Sequence, residues 1–418
     1  LAEAIVSGKA SPNSCTVGGN EVATAIGEIM GVKVEAAARK RAQVMCSGTG
    51  ELTTKKYVYA GAHDCIAAAK LGGGDKLCPD GCIGLGTCAD ACPFDTIKVI
   101  DGVAVVDYDK CRGCGVCVAA CPKHIIIVGG GVIGIEFATF FYRLGVKVTV
   151  VEMLDRVLGP LDKDVTDFVE AELKKNGVEL VLGVKVESIE PGLKVNYAAV
   201  KDGAKGTAEG DVVLMAGGRK PNTRGIGLDT IGVQMDRRGF VEIDGLCRTN
   251  VPGVCAIGDI NGKMQLAHVA TAQGTLVADH IAGKPCKQLN YNRIPSCVYC
   301  NPETAMVGLT EEQARATGKD VGTGVFNLSG NGKALTMGEN HGFVKFVFDK
   351  ATEEILGFHV IGPRATDLAA EVAAVMECEG TISEIGSTVH PHPTVSEAVM
   401  EAAHACHGNS VHAPKARK

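Results

Sequence analysis

Tryptophan is missing from the 418 residues, and aromatic side chains make up only 4%. The longest apolar run, Ile125 to Ile135, is too short and too glycine-rich to span a bilayer, so any membrane association would come through partners. No excess of basic charge is available for nucleic acid: the formal net charge is −6, and the short runs Arg39-Lys-Arg41 and Lys415-Ala-Arg-Lys418 read as solvated surface. No signal peptide is visible, which argues against a secreted disulfide framework and for a reducing, cytoplasmic setting. The chain opens on Leu1 instead of Met, as expected of a fragment or a trimmed form.

Glycine and cysteine are plentiful, with 54 and 18 residues, and the length suffices for three or four domains. Eight of the thiols fall within 44 positions: Cys78, Cys82, Cys88 and Cys92-Pro93, then Cys111, Cys114, Cys117 and Cys121-Pro122. Three cysteines at two-residue gaps on a glycine-bearing turn point their sulfurs inward, and the cysteine before proline is directed to the neighbouring cluster. That logic predicts two [4Fe-4S] clusters with crossed ligands. One takes Cys78, Cys82, Cys88 and Cys121; the other takes Cys92, Cys111, Cys114 and Cys117. Zinc sites also use C-x2-C pairs, but do not call for a third cysteine at the next two-residue gap or for paired Cys-Pro ends. Ile97–Ile100, Asp101-Gly102 and Val103–Val106 read as a hairpin closed by a type I′ turn, joining both sets in one ferredoxin-like unit.

Residues 1–124 resemble the soluble part of the double-cluster ferredoxin component of Rnf-type electron-transport complexes. The resemblance rests on Asn20-Glu-Val-Ala23, Ile29-Met-Gly-Val32, Cys46-Ser-Gly-Thr49 and Gly81-Cys-Ile-Gly-Leu-Gly-Thr-Cys88. It implies redox-protein or membrane electron-transport partners. Of that family's further four-cysteine domain only Cys15 is kept, a stranded thiol; Cys46 and Cys65 read as small buried or free thiols.

After residue 124 the character changes. Ile125–Val128, the turn Gly129-Gly-Gly131-Val-Ile-Gly134 and a helical pattern from Ile135 to Leu144 spell strand, glycine turn and helix. A second strand, Gly145–Val151, ends at Glu152, 18 residues after Gly134. The glycines admit a pyrophosphate to the helix N-terminus, and Glu152, accepting from ribose hydroxyls, favours NAD over its 2′-phosphorylated relative.

Three further blocks follow in order: Val212–Thr223 with Gly-Gly-Arg-Lys-Pro-Asn, Val254-Cys-Ala-Ile-Gly-Asp259, and His390-Pro-His-Pro-Thr-Val-Ser-Glu397. With Ile294-Pro295 and Asn301–Glu311, they give residues 125–412 a resemblance to dihydrolipoamide dehydrogenase. It implies that Gly218 lies against the nicotinamide nucleotide, that Gly258 and Asp259 bind the flavin's ribityl-phosphate side, and that Gln265, Leu266, Ala267 and His268 run along the isoalloxazine. It also implies a homodimer through the C-terminal domain, with His392 and Glu397 working across the interface. A histidine held by a carboxylate has a fixed tautomer and raised basicity, as suits a base that deprotonates a dithiol. Members of this family open with a flavin-binding GxGxxG and a C-x4-C disulfide, and neither pattern occurs here, so the FAD site is expected to be incomplete.

The expected fold is a multidomain α/β chain. Residues 1–35 are the remnant of an iron–sulfur domain, 36–76 a connecting segment with a helix Asp64–Lys70, and 77–124 the ferredoxin domain. Residues 125–250 form a Rossmann-type NAD domain of βαβ units, 251–290 the second half of an FAD domain, and 291–418 an α+β dimerisation domain. That last part contains an alternating strand Gly342–Phe348 and an amphipathic helix Ala365–Gly380. No linker separates the halves, so Ile125–Val128 would have to serve two sheets, which four residues can hardly do; either the ferredoxin module gives up its last pairing or the chain is fused or recombined. Functionally, an iron–sulfur and NAD(H)-linked oxidoreductase competes with two alternatives. One is an electron-transfer module carrying an inert dehydrogenase remnant, and the other a non-redox dimerisation scaffold.

Overall fold

The structure, a computed structural model, describes residues 2–7, 10–12, 19–32, 34, 41–44, 46–69, 71, 73–78, 81–190 and 193–413. Cys15, Arg39, Lys40 and the basic run at 415–418 lie outside the described residues. Contacts divide the chain into two compact units. The first comprises residues 1–128, 140–153 and 174–215, and the second comprises 129–139, 154–173 and 216–418.

In the first unit, helices Ala2–Val6 and Gly19–Met30 precede the short helix Cys65–Ala69. The Lys-Tyr-Val-Tyr alternation forms no strand. Strands β1 (Ile97–Ile100) and β2 (Val103–Val106) form the expected hairpin, and its turn residues Asp101 and Gly102 have φ of 48° and 74°, as a type I′ turn requires. Ile97, Ala104, Val106 and Cys111 form its core, with Cys82, Cys88, Cys92 and Cys117 packed against them.

Strand β3 (His124–Val128) pairs in parallel with β4 (Lys147–Val151) and β9 (Val212–Met215), and β5 (Glu179–Val181) flanks β4. Ile126 and Ile127 are fully buried, as a strand covered on both faces demands of its continuous β-branched run. Of the outcomes expected at Ile125–Val128, pairing with the hairpin is the one given up. Four residues cannot satisfy two sheets, so β3 joins only the parallel sheet and the β1–β2 hairpin stays two-stranded.

The reading of 125–250 as βαβ units also misses a feature: β6 (Val184–Glu190), β7 (Lys194–Ala199) and β8 (Lys205–Glu209) form an antiparallel meander. Its alternation of Val, Lys, Val, Glu suits a half-exposed antiparallel ladder.

The second unit is built on an antiparallel sheet of order β10-β11-β14-β13-β12: β10 is Ser296–Val298, β11 Thr304–Gly308, β12 Val321–Asn327, β13 Phe343–Asp349 and β14 Ile355–Ile361. Helices Ala365–Glu377 and Glu397–Cys406 supply Leu368, Ala369, Val372, Ala398, Val399 and Ala402 to the same core as Phe346, Phe358 and Val360. Strand β13 departs from the half-exposed strand its alternation suggests: all seven residues are buried. Lys345 is accommodated because Asp162, Asp164 and Glu311 each place a carboxylate oxygen 2.6–2.9 Å from its Nζ. No helix among the described residues is long and apolar enough to cross a membrane.

Candidate functional site

Cys92, Cys111, Cys114 and Cys117 line one small hollow in the first unit, together with Ala42, Thr96 and Ile97. This is the second of the two expected ligand sets, crossed ligand included. Gly113 and Gly115 take left-handed φ of 64° and 81°, which bends the loop around the hollow. The Ala42 N–H donates to Cys111 Sγ at 3.3 Å, and Cys92 Sγ lies 3.2 Å from Thr96 Oγ1. Burial first, then the charges of Cys92 and Cys114, pushes the Cys117 thiol up.

The first set is assembled differently. Burial first, then Cys82, Cys121, Cys65 and Cys117, pushes the Cys88 thiol up to about 11. Burial also raises Cys121, and Cys82 and Cys65 add to it. Cys78 is exposed. Among the described residues no three His, Cys, Asp or Glu side chains are gathered to hold a single metal ion.

The glycine turn follows β3 directly. Gly129 has φ of 115°, and a Cβ there would stand 2.4 Å from Ala216 O, so only glycine fits. Gly131 and Gly218 face open space, with nothing within 4 Å of a Cβ. Gly134 is buried in helix Val132–Arg143. Glu152 immediately follows β4; its N–H donates to Val181 O and its carbonyl accepts from Val184 N–H, at 2.9 and 3.0 Å.

Gly258 and Asp259 open a single 3₁₀ turn ahead of helix Ala267–Ile281. Gln273, fully buried, fixes that turn by accepting from Gly258 N–H at 2.7 Å and from Asn261 Nδ2 at 2.9 Å. Arg219 clamps the exposed side, donating to Asp259 Oδ2 and to Gln265 O, both at 2.5 Å. Leu266 caps the helix, Ala267 opens it, and His268 Nε2 lies 2.9 Å from Pro295 O. Arg219 carries no role in the expectations drawn from sequence, although it sits inside the Gly-Gly-Arg-Lys-Pro-Asn block.

His392 Nδ1 lies 2.9 Å from Glu397 Oε1, and its ring is exposed. Thr394 N–H donates to Glu397 Oε2 at 2.9 Å. Burial alone would raise the Glu397 carboxyl, but the Thr394 and His392 bonds outweigh it and hold it below the usual range. The neighbouring His390 is instead buried, with Nδ1 2.8 Å from Thr388 O and Nε2 2.7 Å from Glu371 Oε1.

Residues 80–274 match the pyridine nucleotide-disulphide oxidoreductase model, and residues 294–403 match the dimerisation domain of the same family. The chain belongs to the pyridine nucleotide-disulphide oxidoreductase family. Within the family it is similar to dihydrolipoyl dehydrogenase of Bacillus subtilis (strain 168), 41% identical over 287 residues, which are 68% of this chain and 60% of that protein. The Cupriavidus necator dihydrolipoyl dehydrogenase is 43% identical over 279 residues, 66% of this chain and 58% of its own length. Among solved structures, LpdA from Mycobacterium tuberculosis superposes with a TM-score of 0.62 at 32% identity, covering 68% of this chain and 61% of that one. The HOCl-induced flavoprotein disulfide reductase RclA of Escherichia coli gives a TM-score of 0.62 at 28% identity, over 68% and 64%. The chain thus spans about 60% of the length of the curated relatives it matches. The family implies FAD and NAD as cofactors.

Proposed function

We propose that this chain is an NAD(H)-linked electron-transfer oxidoreductase of the dihydrolipoamide dehydrogenase type joined to a double-cluster module resembling the ferredoxin component of Rnf-type complexes, working in the cytoplasm as a homodimer. The hollow lined by Cys92, Cys111, Cys114 and Cys117 carries the iron–sulfur part of this reading. The Cys88 and Cys121 thiols, each raised first by loss of solvation and each with Cys82 as an electrostatic neighbour, support a second cluster.

On the dehydrogenase side, Gly129, Gly131 and Gly134 bring backbone close to a pyrophosphate, and Glu152 receives the adenosine ribose hydroxyls. Gly218 leaves room for the nicotinamide end. Asp259 and Gly258 would hold the ribityl-phosphate side of FAD and Gln265, Leu266, Ala267 and His268 its ring system, these being the part of the flavin site that the sequence retains. Arg219, already bonded to Asp259 and Gln265, keeps that carboxylate aimed. A bound flavin supplies what this pairing of cofactors needs, since it accepts the two electrons of a hydride and releases them singly, as a cluster requires.

His392 would serve as a proton acceptor toward a dithiol and no more, since the C-x4-C disulfide that takes a dithiol's electrons in the family does not occur in this sequence. Glu397, by accepting from Nδ1–H, leaves the Nε2 lone pair facing outward and stabilises the imidazolium once the proton is taken. In the dimer that lone pair would serve the partner's site.

Anaerobic reconstitution of the full chain with iron, sulfide and FAD, followed by titration with NADH, tests the reading. Bleaching of the cluster absorption by NADH is expected. Iron uptake without NADH-dependent bleaching would favour an electron-transfer module carrying an inert dehydrogenase remnant.

A further inference from the structure

The two cysteine sets are copies of one unit at a constant offset of 29 residues: Cys82, Cys88 and Cys92-Pro93 correspond to Cys111, Cys117 and Cys121-Pro122. The backbone repeats as well. Gly84 and Gly86 have φ of 83° and 85°, Gly113 and Gly115 have 64° and 81°, and the second glycine of each pair caps a short helix, Thr87–Asp90 or Val116–Ala120. The middle thiol of the second set, Cys114, corresponds to Leu85, so the first set lacks its own middle ligand. Cys78 does not fill the gap by correspondence, because the same offset carries it to Asp107, outside the second set.

Cys65 packs against the loop that holds the unmatched Leu85. Only 7% exposed, it packs with Ala68 and Ile83, and Leu85 lies against the same group. Its N–H donates to Thr87 Oγ1 at 2.7 Å, and that hydroxyl donates to Asp64 Oδ1 at 2.9 Å, so the start of helix Cys65–Ala69 is tied to the residue preceding Cys88. Cys78 is exposed, as is Cys121. A Cβ built on Gly81 would meet Cys78 O at 3.4 Å, Cys78 Cβ at 3.5 Å and Cys46 Sγ at 3.7 Å, so Cys46 borders the same turn as Cys78.

We propose that Cys65, not Cys78, completes the first cluster's ligand set with Cys82, Cys88 and Cys121, filling the place that Cys114 holds in the second. The assignment rests on the cluster-binding function proposed for this half of the chain.

Iron counting after anaerobic reconstitution of the full chain with iron and sulfide tests it. The unsubstituted chain should hold about eight irons, Cys65→Ser about four, and Cys78→Ser about eight. An unsubstituted chain that takes up no iron overturns the cluster reading and this assignment with it. If the unsubstituted chain fills both sites while Cys65→Ser also stays full, or while Cys78→Ser drops to half, the assignment alone is overturned. The Cys78→Ser arm decides even if Cys65→Ser does not fold, because Cys78 is an exposed side chain.

Discussion

Nδ1 of His392 and Oε1 of Glu397 are 2.9 Å apart, with the carboxylate at the first position of helix Glu397–Cys406 and the imidazole facing solvent. The helix N-terminus and the Thr394 N–H both favour the ionised carboxylate, so the histidine is held by a charge already fixed in place.

Replacing His392 by Ala should therefore raise the Glu397 carboxyl toward its ordinary range while the Thr394 bond keeps part of the depression. The sign is that of a depressed carboxyl: its contribution to stability exists above the ordinary carboxylate range and is lost as pH falls through the folded value. Removing His392 should shrink that loss. Carbon-13 NMR titration of the carboxyl resonance measures the change, and an unmoved Glu397 would mean that the pair does not interact in solution.

Lys345 and Asp162 are each only 2% exposed on their side chains, and the ion pair between them is reinforced by Glu311. Lys345→Met should cost about 3–5 kcal/mol, because Asp162 would be left buried and unpaired. Asp164, more than half exposed, should account for little of this. Urea unfolding followed by circular dichroism gives the value. A cost below about 1 kcal/mol would mean that water reaches Asp162 freely.

This buried lysine marks where sequence reading stops. Phe343 to Phe348 was legible as a strand from its alternation, but Asp162 and Glu311, which decide the depth of Lys345, lie far away in sequence. The hairpin at Asp101-Gly102, β3 and the gathering of Cys92, Cys111, Cys114 and Cys117 around one hollow were legible because local spacing and turn chemistry determine them. The His392–Glu397 pair was legible through family resemblance. The β6–β8 meander was not, since its alternation was overshadowed by the expectation of βαβ units. Nor was the neighbourhood of Cys65, which depends on a helix folding back against the Ile83–Thr87 loop.

His359, fully buried on β14, should make the second unit sensitive to acid. Burial first, aided by the nearby Lys345 charge and only partly opposed by Asp162, lowers it to about 4 from an ordinary 6.5. Between those values the unfolded chain takes up a proton that the folded chain refuses, so stability falls as pH drops from 6.5 toward 4 and this contribution then levels off. The whole effect is about 3 kcal/mol. Asp162, whose carboxyl is depressed, adds a further loss in the same direction at lower pH. Denaturation midpoints measured across this range should slope accordingly, and His359→Gln should flatten the slope above pH 4.

Gly129 and Gly131 should separate folding from nucleotide binding. At Gly129 a methyl group would meet the Ala216 carbonyl at 2.4 Å on a backbone with φ of 115°, so Gly129→Ala should destabilise the fold by about 1–3 kcal/mol and lower the melting temperature. At Gly131 nothing lies within 4 Å, so Gly131→Ala should leave stability within about 0.5 kcal/mol of the unsubstituted chain. The added methyl would nevertheless occupy space that a pyrophosphate needs next to the helix N-terminus. NADH affinity, followed by fluorescence of the bound nucleotide, should therefore fall about tenfold or more in Gly131→Ala, a loss of at least about 1.4 kcal/mol. If Gly131→Ala bound NADH as well as the unsubstituted chain, the glycine turn would be a packing device for helix Val132–Arg143 and not a nucleotide site.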